Sequence, residues 1–140
     1  MKKLIIKYKL FIILISLFIL PFISFSQVNQ SQLVEKDEIM YLSNKPYTGK
    51  CYTNFDNGKT GLEGSYKNGK KDGEWIWYYE NGIKKRSTTF KDGVKQGKSI
   101  YWYKTGIKKS EIIFDNDRNI RQTSWDETGK PTKNPSFEKF

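Results

Sequence analysis

The chain has 140 residues, enough for one domain, with 25 basic and 15 acidic side chains and a formal net charge of +10. It contains no histidine, which excludes His-based triads, histidine general bases and the common His-containing zinc sites. Its single cysteine, Cys51, excludes an internal disulfide and a cysteine metal cluster, and is expected to pack as a small apolar side chain.

At the N-terminus Lys2, Lys3, Lys7 and Lys9 form a basic head before a 16-residue apolar run, Leu10 to Phe25, that contains Pro21. The run ends in Ser24-Phe25-Ser26, with small residues placed for cleavage before Gln27. Residues 1–26 therefore read as a signal peptide. An uncleaved membrane anchor is the alternative, although the run is short against the ~20 residues of a spanning helix. The expectation is an exported protein: periplasmic, envelope-associated or extracellular. Without residues 1–26, which carry four lysines and no acids, 21 basic residues face 15 acidic ones, a net charge of +6.

Residues 27–37 are polar and unpatterned and read as a flexible lead, and Glu38 to Ser43 as a strand capping the first repeat. From there a 24-residue step dominates the chain. Gly49, Gly73 and Gly97 obey it, as do Gly58, Gly82 and Gly106, the rings Tyr66, Phe90 and Phe114, and the rings Phe55, Tyr79 and Tyr103. The units run over about 47–70, 71–94 and 95–118, with a partial fourth over 119–130 that is one residue short. Residues 131–140 read as a flexible tail. Asn57-Gly58, Asn81-Gly82 and Thr105-Gly106 lie between runs of aromatic and β-branched residues, the signature of two-residue type I′ hairpins. Asn68-Gly69 and Asp92-Gly93 mark longer return connections. The expected fold is all-β: an elongated antiparallel meander of stacked β-hairpins over residues 38–130, covered on neither face.

A two-residue turn at Asn81-Gly82 pairs Tyr79 with Lys84, Trp77 with Arg86, Trp75 with Thr88 and Gly73 with Phe90. The same register in the third unit pairs Tyr103 with Lys108 and Tyr101 with Ser110. It sets an aromatic ring over a glycine in each unit. It also gathers Trp75, Trp77, Tyr79, Tyr101 and Tyr103 on one face beside Lys84, Arg86 and Lys108. Tyr52, Ile76, Tyr78, Ile100 and Trp102 fall on the other.

The recurring form, Gly73 with Trp75 to Tyr79, the Asn81-Gly82 turn, the basic run Lys84-Lys85-Arg86, then Phe90 and Gly93, resembles the variant MORN repeat. Pro46-Tyr47-Thr48-Gly49 ahead of the first hairpin resembles the lead-in of bacterial YwqK-family antitoxin components. The resemblance covers about residues 38–130 and implies an elongated hairpin sheet used for protein or lipid contact. It supplies no catalytic residues.

The carboxylates, among them Asp56, Glu80 and Glu111, are spread along the units, and no catalytic, metal or cofactor site is expected. The candidate partner-binding residues are Trp77, Trp75, Tyr79, Tyr101, Tyr103, Lys84, Arg86 and Lys108, a mixture suited to sugars or anionic head groups. The competing reading is a packing face with Lys and Arg stems laid across rings. Trp77 has no tryptophan counterpart in the other units, which marks it as the contact residue, whereas Phe90 recurs and is expected to be structural. The expected role is non-catalytic binding or scaffolding outside the cytoplasm, the partner being a protein or envelope component. The alternative is an anionic lipid surface, glycan or other polymer; nucleic acid is not expected. An antitoxin or immunity partner and a cell-wall hydrolase are more distant readings.

Overall fold

The computed structural model describes residues 27–132. The expected signal peptide, residues 1–26, and the last eight residues of the expected tail, 133–140, lie outside the described residues. Among the described residues no helix is long and apolar enough to cross a membrane.

Eight strands form the antiparallel meander: β5 (Gly49–Asn54), β6 (Thr60–Lys67), β8 (Gly73–Tyr78), β9 (Lys84–Lys91), β10 (Val94–Trp102), β11 (Lys108–Asp115), β12 (Arg118–Trp125) and the short β13 (Pro131–Thr132). The short β7 (Lys70–Lys71) pairs with β6, and β1 (Val28–Asn29) pairs in parallel with β5 at the outer edge. A second, three-stranded sheet is made by β2 (Val34–Lys36), β3 (Ile39–Leu42) and β4 (Lys45–Pro46). The all-β meander of hairpins is thus the fold of the chain.

The two kinds of turn are the reverse of those expected. At Asn81-Gly82 the Gly82 N–H donates to the Tyr79 carbonyl and the Tyr79 N–H to the Ile83 carbonyl, with positive φ at Gly82 alone. That is a type I turn closed by a glycine bulge. The Asn81 side chain contributes by accepting from the Ile83 N–H. The pattern recurs at Phe55, Tyr103 and Asp126, so the fourth unit has a complete turn closed by Gly129. The return connections are the two-residue turns: Asn68-Gly69, Asp92-Gly93 and Asn116-Asp117 all have both residues at positive φ.

These returns lead into wide bulges. Pairs Lys95–Phe90 and Ser99–Thr88 leave three residues of β10 facing one of β9, with Gly97 at φ +88° inside the bulge. In β12 the corresponding bulge holds Ile120 alone, between pairs Phe114–Asn119 and Ile113–Arg121. The residue missing from the fourth unit is therefore the bulge glycine.

The expected flexible lead is structured, and the expectation of a sheet covered on neither face is corrected with it. Residues 28–46 fold over the first half of the meander, and Val28, Leu33, Met40 and Leu42 pack against the core of Tyr47, Cys51, Leu62, Tyr66, Trp75 and Phe90. The Met40 N–H donates to the Gly69 carbonyl and the Gly69 N–H to the Tyr47 carbonyl, fastening the lead to the first return turn. A bare sheet of hairpins is marginal, and this cover is what allows its rings to leave water. The opposite face of the meander carries none of these core residues.

Candidate binding surfaces

The covered face is organised around Trp75, whose side chain is fully buried. Gly64 on the neighbouring strand makes room for it: a Cβ there would lie 2.3–2.7 Å from three Trp75 ring atoms. Tyr66 and Phe90 meet the indole edge-on at 4.9 and 6.3 Å between centroids, and its Nε1–H donates to the Ser65 carbonyl at 3.0 Å. Each interaction follows from an indole having one polar atom and a large apolar body. Burial pushes the Cys51 thiol up to about 11 and the Tyr66 phenol up to about 12, so both stay protonated at neutral pH. The ring-over-glycine expectation holds with different partners. Phe90 pairs with Gly73, but Gly73 is demanded by its positive φ in the bulge, and the covered glycine is Gly64 beneath Trp75.

The eight predicted site residues do not form one constellation. Trp75, Trp77, Arg86 and Tyr101 share the covered face, with pairs Trp75–Thr88, Trp77–Arg86 and Tyr101–Ser110 as expected. Beyond Trp77 and Tyr101 the bulge shifts the register by one residue, so Lys84 pairs with Tyr78 and Lys108 with Trp102. Lys84 and Lys108 therefore cross to the opposite face, because neighbouring positions on a strand point to opposite sides. Tyr79 and Tyr103 open the turns, and their hydroxyls donate to the Trp102 and Trp125 carbonyls of the next unit.

Several cations lie over rings. The Arg86 guanidinium stacks on Trp77 at 3.6 Å, Lys71 lies over Trp75 and Phe90, Lys85 and Lys104 over Tyr79, and Lys109 over Tyr103. Burial lowers the Lys71 ammonium from its ordinary value. Trp75 is closed to any partner by its burial, and Trp77 is half-buried between Trp75 and Arg86. On this face packing accounts for the basic and aromatic residues.

The opposite face is open and differently composed. Tyr78, Trp102 and Trp125, each the residue before a turn, stand on alternate strands β8, β10 and β12 and are only partly buried. Glu63 accepts from the Tyr78 hydroxyl. Burial first, and Glu63 second, push that phenol up to about 12. Glu111 is held between Lys98 and Lys108, at 3.0 and 3.1 Å, which keeps its carboxyl below the usual range. The Lys108 ammonium also lies 5.2 Å from the Trp125 ring centroid.

A further set of residues went unnoticed in the sequence. Thr48, Asp72 and Gln96 are 24 residues apart. Their side chains accept from the N–H groups of Asn68, Asp92 and Asn116 at 2.8, 3.4 and 2.8 Å. Each clasps a return turn to the hairpin before it. The clue was weak, since a hydroxyl, a carboxylate and an amide share only an acceptor oxygen. The Pro46-Tyr47-Thr48-Gly49 lead-in is structural in the same way. Tyr47 donates to the Lys50 carbonyl and lies so close to Gly49 that a Cβ there would meet its hydroxyl at 2.6 Å, while Thr48 is the first clasp.

Residues 71–92 match the family described as MORN repeat variant. No curated protein matches the chain. The matched stretch is the second hairpin, with its turn, bulge glycine and clasp, and the same features recur in the hairpin after it. Match and recurrence together support a MORN-repeat protein, built on a repeat that is generally non-catalytic.

Proposed function

We propose that this chain is a non-catalytic repeat module that binds a protein or another envelope component outside the cytoplasm. The observation behind this reading is the asymmetry of the sheet. The chain's own lead folds over one face of the first hairpins, while the other face presents partly exposed rings and cations from successive units. A regular array of side chains on a rigid sheet suits recognition of an extended partner. Export is supported by the basic head, the apolar run and Ser24-Phe25-Ser26. The resemblance to YwqK-family antitoxin components suggests a partner protein, but an exported chain would not meet a cytosolic toxin.

Fractionation of a native-like host, with N-terminal sequencing, tests the location; the expected first residue is Gln27. Capture from envelope extract at low and high salt tests the binding. Retention at high salt supports a protein contact, and a steep loss supports an anionic surface or polymer. Recovery of the chain in the cytosol with Met1 intact would overturn the reading.

A further inference from the structure

A cut before Gln27 falls at the edge of the fold. One residue later β1 (Val28–Asn29) begins, pairing Val28 with Cys51 and Asn29 with Tyr52 along the outer edge of β5. Val28 packs against the buried core. Asn29 caps the 3-10 turn that follows, its Oδ1 accepting from the Ser31 N–H at 3.0 Å, and the Gln30 amide donates to the Tyr66 hydroxyl at 3.0 Å. Removal of Gln27, Val28 and Asn29 from such a terminus would strip the edge strand, an apolar side chain of the cover and the cap of the turn. A free amine at Gln27 invites that loss, because aminopeptidases recognise a terminal amine. Gln27 itself is exposed, lies outside β1, and its side chain makes no hydrogen bond among the described residues. It is free to turn back on its own backbone.

We infer that Gln27 is a modification site: in the exported chain its new α-amine closes onto its own side-chain amide, giving a pyroglutamyl terminus. The amine nitrogen attacks Cδ, the N–Cδ bond forms and the Cδ–Nε2 bond breaks. Nε2 leaves as ammonia with a proton given up by the amine. The step is redox-neutral and needs no co-reactant. An α-amine ordinarily titrates at about 7.7–8.0, so its nucleophilic neutral form is present at neutral pH. Amine and amide held within one residue favour ring closure. Glutamine is the amide side chain of the right length, since asparagine would have to close a four-membered ring. The product is a neutral lactam that offers aminopeptidases no amine, one residue ahead of the strand it shields. The inference rests on export with cleavage before Gln27 and adds a covalent modification of the new terminus.

The test is tandem mass spectrometry of the N-terminal peptide of protein isolated from the envelope or medium of a native-like host, which reads either form of the first residue. The expected peptide starts at residue 27 and is lighter than its unmodified sequence by one ammonia. A broad aminopeptidase should leave this protein intact. After a pyroglutamyl peptidase has removed the lactam, the same aminopeptidase should trim through Val28 and Asn29 and lower the melting temperature by roughly 4–8 °C. The exported Gln27→Asn protein should melt like the parent, keep its free amine and be trimmed without that pretreatment. A peptide that starts at residue 27 with its ammonia retained overturns the inference and leaves export standing, whereas a Met1 terminus overturns both. Resistance of Gln27→Asn to the aminopeptidase overturns the shielding role of the lactam.

Discussion

Gly64→Ala should destabilise the domain far more than a single methyl group suggests. The new Cβ would sit 2.3 Å from the Trp75 ring, against an ordinary contact limit of 3.4 Å, so the indole would have to retreat by about 1.1 Å. Tyr66, Phe90 and Trp77 stand around it, and its Nε1–H is bonded to the Ser65 carbonyl at 3.0 Å. A shift of that size breaks the hydrogen bond, and stranding a buried donor costs about 1–3 kcal/mol. Overpacking a filled core adds about 1–3 kcal/mol. Alanine recovers about 0.5–1 kcal/mol over glycine in a strand, since Gly64 is not at positive φ. The net loss is about 1–5.5 kcal/mol; a loss near the middle of that range, about 3 kcal/mol, lowers the melting temperature of a domain this size by roughly 10 °C or more. Urea unfolding followed by tryptophan fluorescence reads it directly, and Trp75→Phe in the Gly64→Ala background should recover part of the loss. A Gly64→Ala protein as stable as the parent would show that the indole does not lie against Gly64. The account of the core would then fail with it.

Gly82→Val should also destabilise, for a different reason. A Cβ there meets nothing within 4 Å, but φ is +89° and a β-branched residue is strained at positive φ. An unchanged melt would refute the bulge turn. Phe90→Ala should cost ~3–5 kcal/mol, the range for a buried ring. Trp77→Ala, half-exposed under Arg86, should cost about 1–2 kcal/mol; equal losses in urea would make Trp77 core. Stability should decline in alkali. The buried Cys51 thiol keeps its proton up to about 11, against an ordinary value of 9.0, while the unfolded thiol releases its proton earlier. The stabilisation is complete below the unfolded value and is lost as pH rises through this window. Cys51→Ala should flatten that part of the stability profile, and an identical slope would refute the burial effect.

The meander was legible because a 24-residue step of glycines and rings survives every substitution between units. The turn types were not, because Asx-Gly serves both. In a type I turn with a glycine bulge only the glycine needs positive φ, whereas a type I′ turn needs it at two residues. Thr105-Gly106 and Thr128-Gly129 held the discriminating clue, since threonine is a poor residue at positive φ. The sides of Lys84 and Lys108 were missed as well, because the register shifts by one residue between Trp77 and Tyr78 and between Tyr101 and Trp102, and a one-residue shift reverses the face. The lead escaped notice for a different reason. It contributes single apolar residues, Val28 and Leu33, from a two-residue strand and a residue just after a three-residue 3-10 turn, elements too short to show a period. The cation-bearing rings were foreseeable as a mixture, but their division between two faces depended on the bulges.

The core under the lead has a consequence for how the molecule breathes. Among the described residues, every buried hydrophobic side chain lies between Tyr47 and Phe90, while β11, β12 and β13 contain no buried residue. Opening of the last hairpins therefore exposes little apolar surface, whereas opening of the first requires the lead to detach as well. Amide exchange should accordingly be graded along the chain, slowest in β6 and β8 and fastest toward β13. Such a gradient also makes the two ends unequal as places for change. A duplicated or lost unit near β11 would leave the anchored end undisturbed, so repeat number can vary there while the lead and its first hairpins keep the fold nucleated.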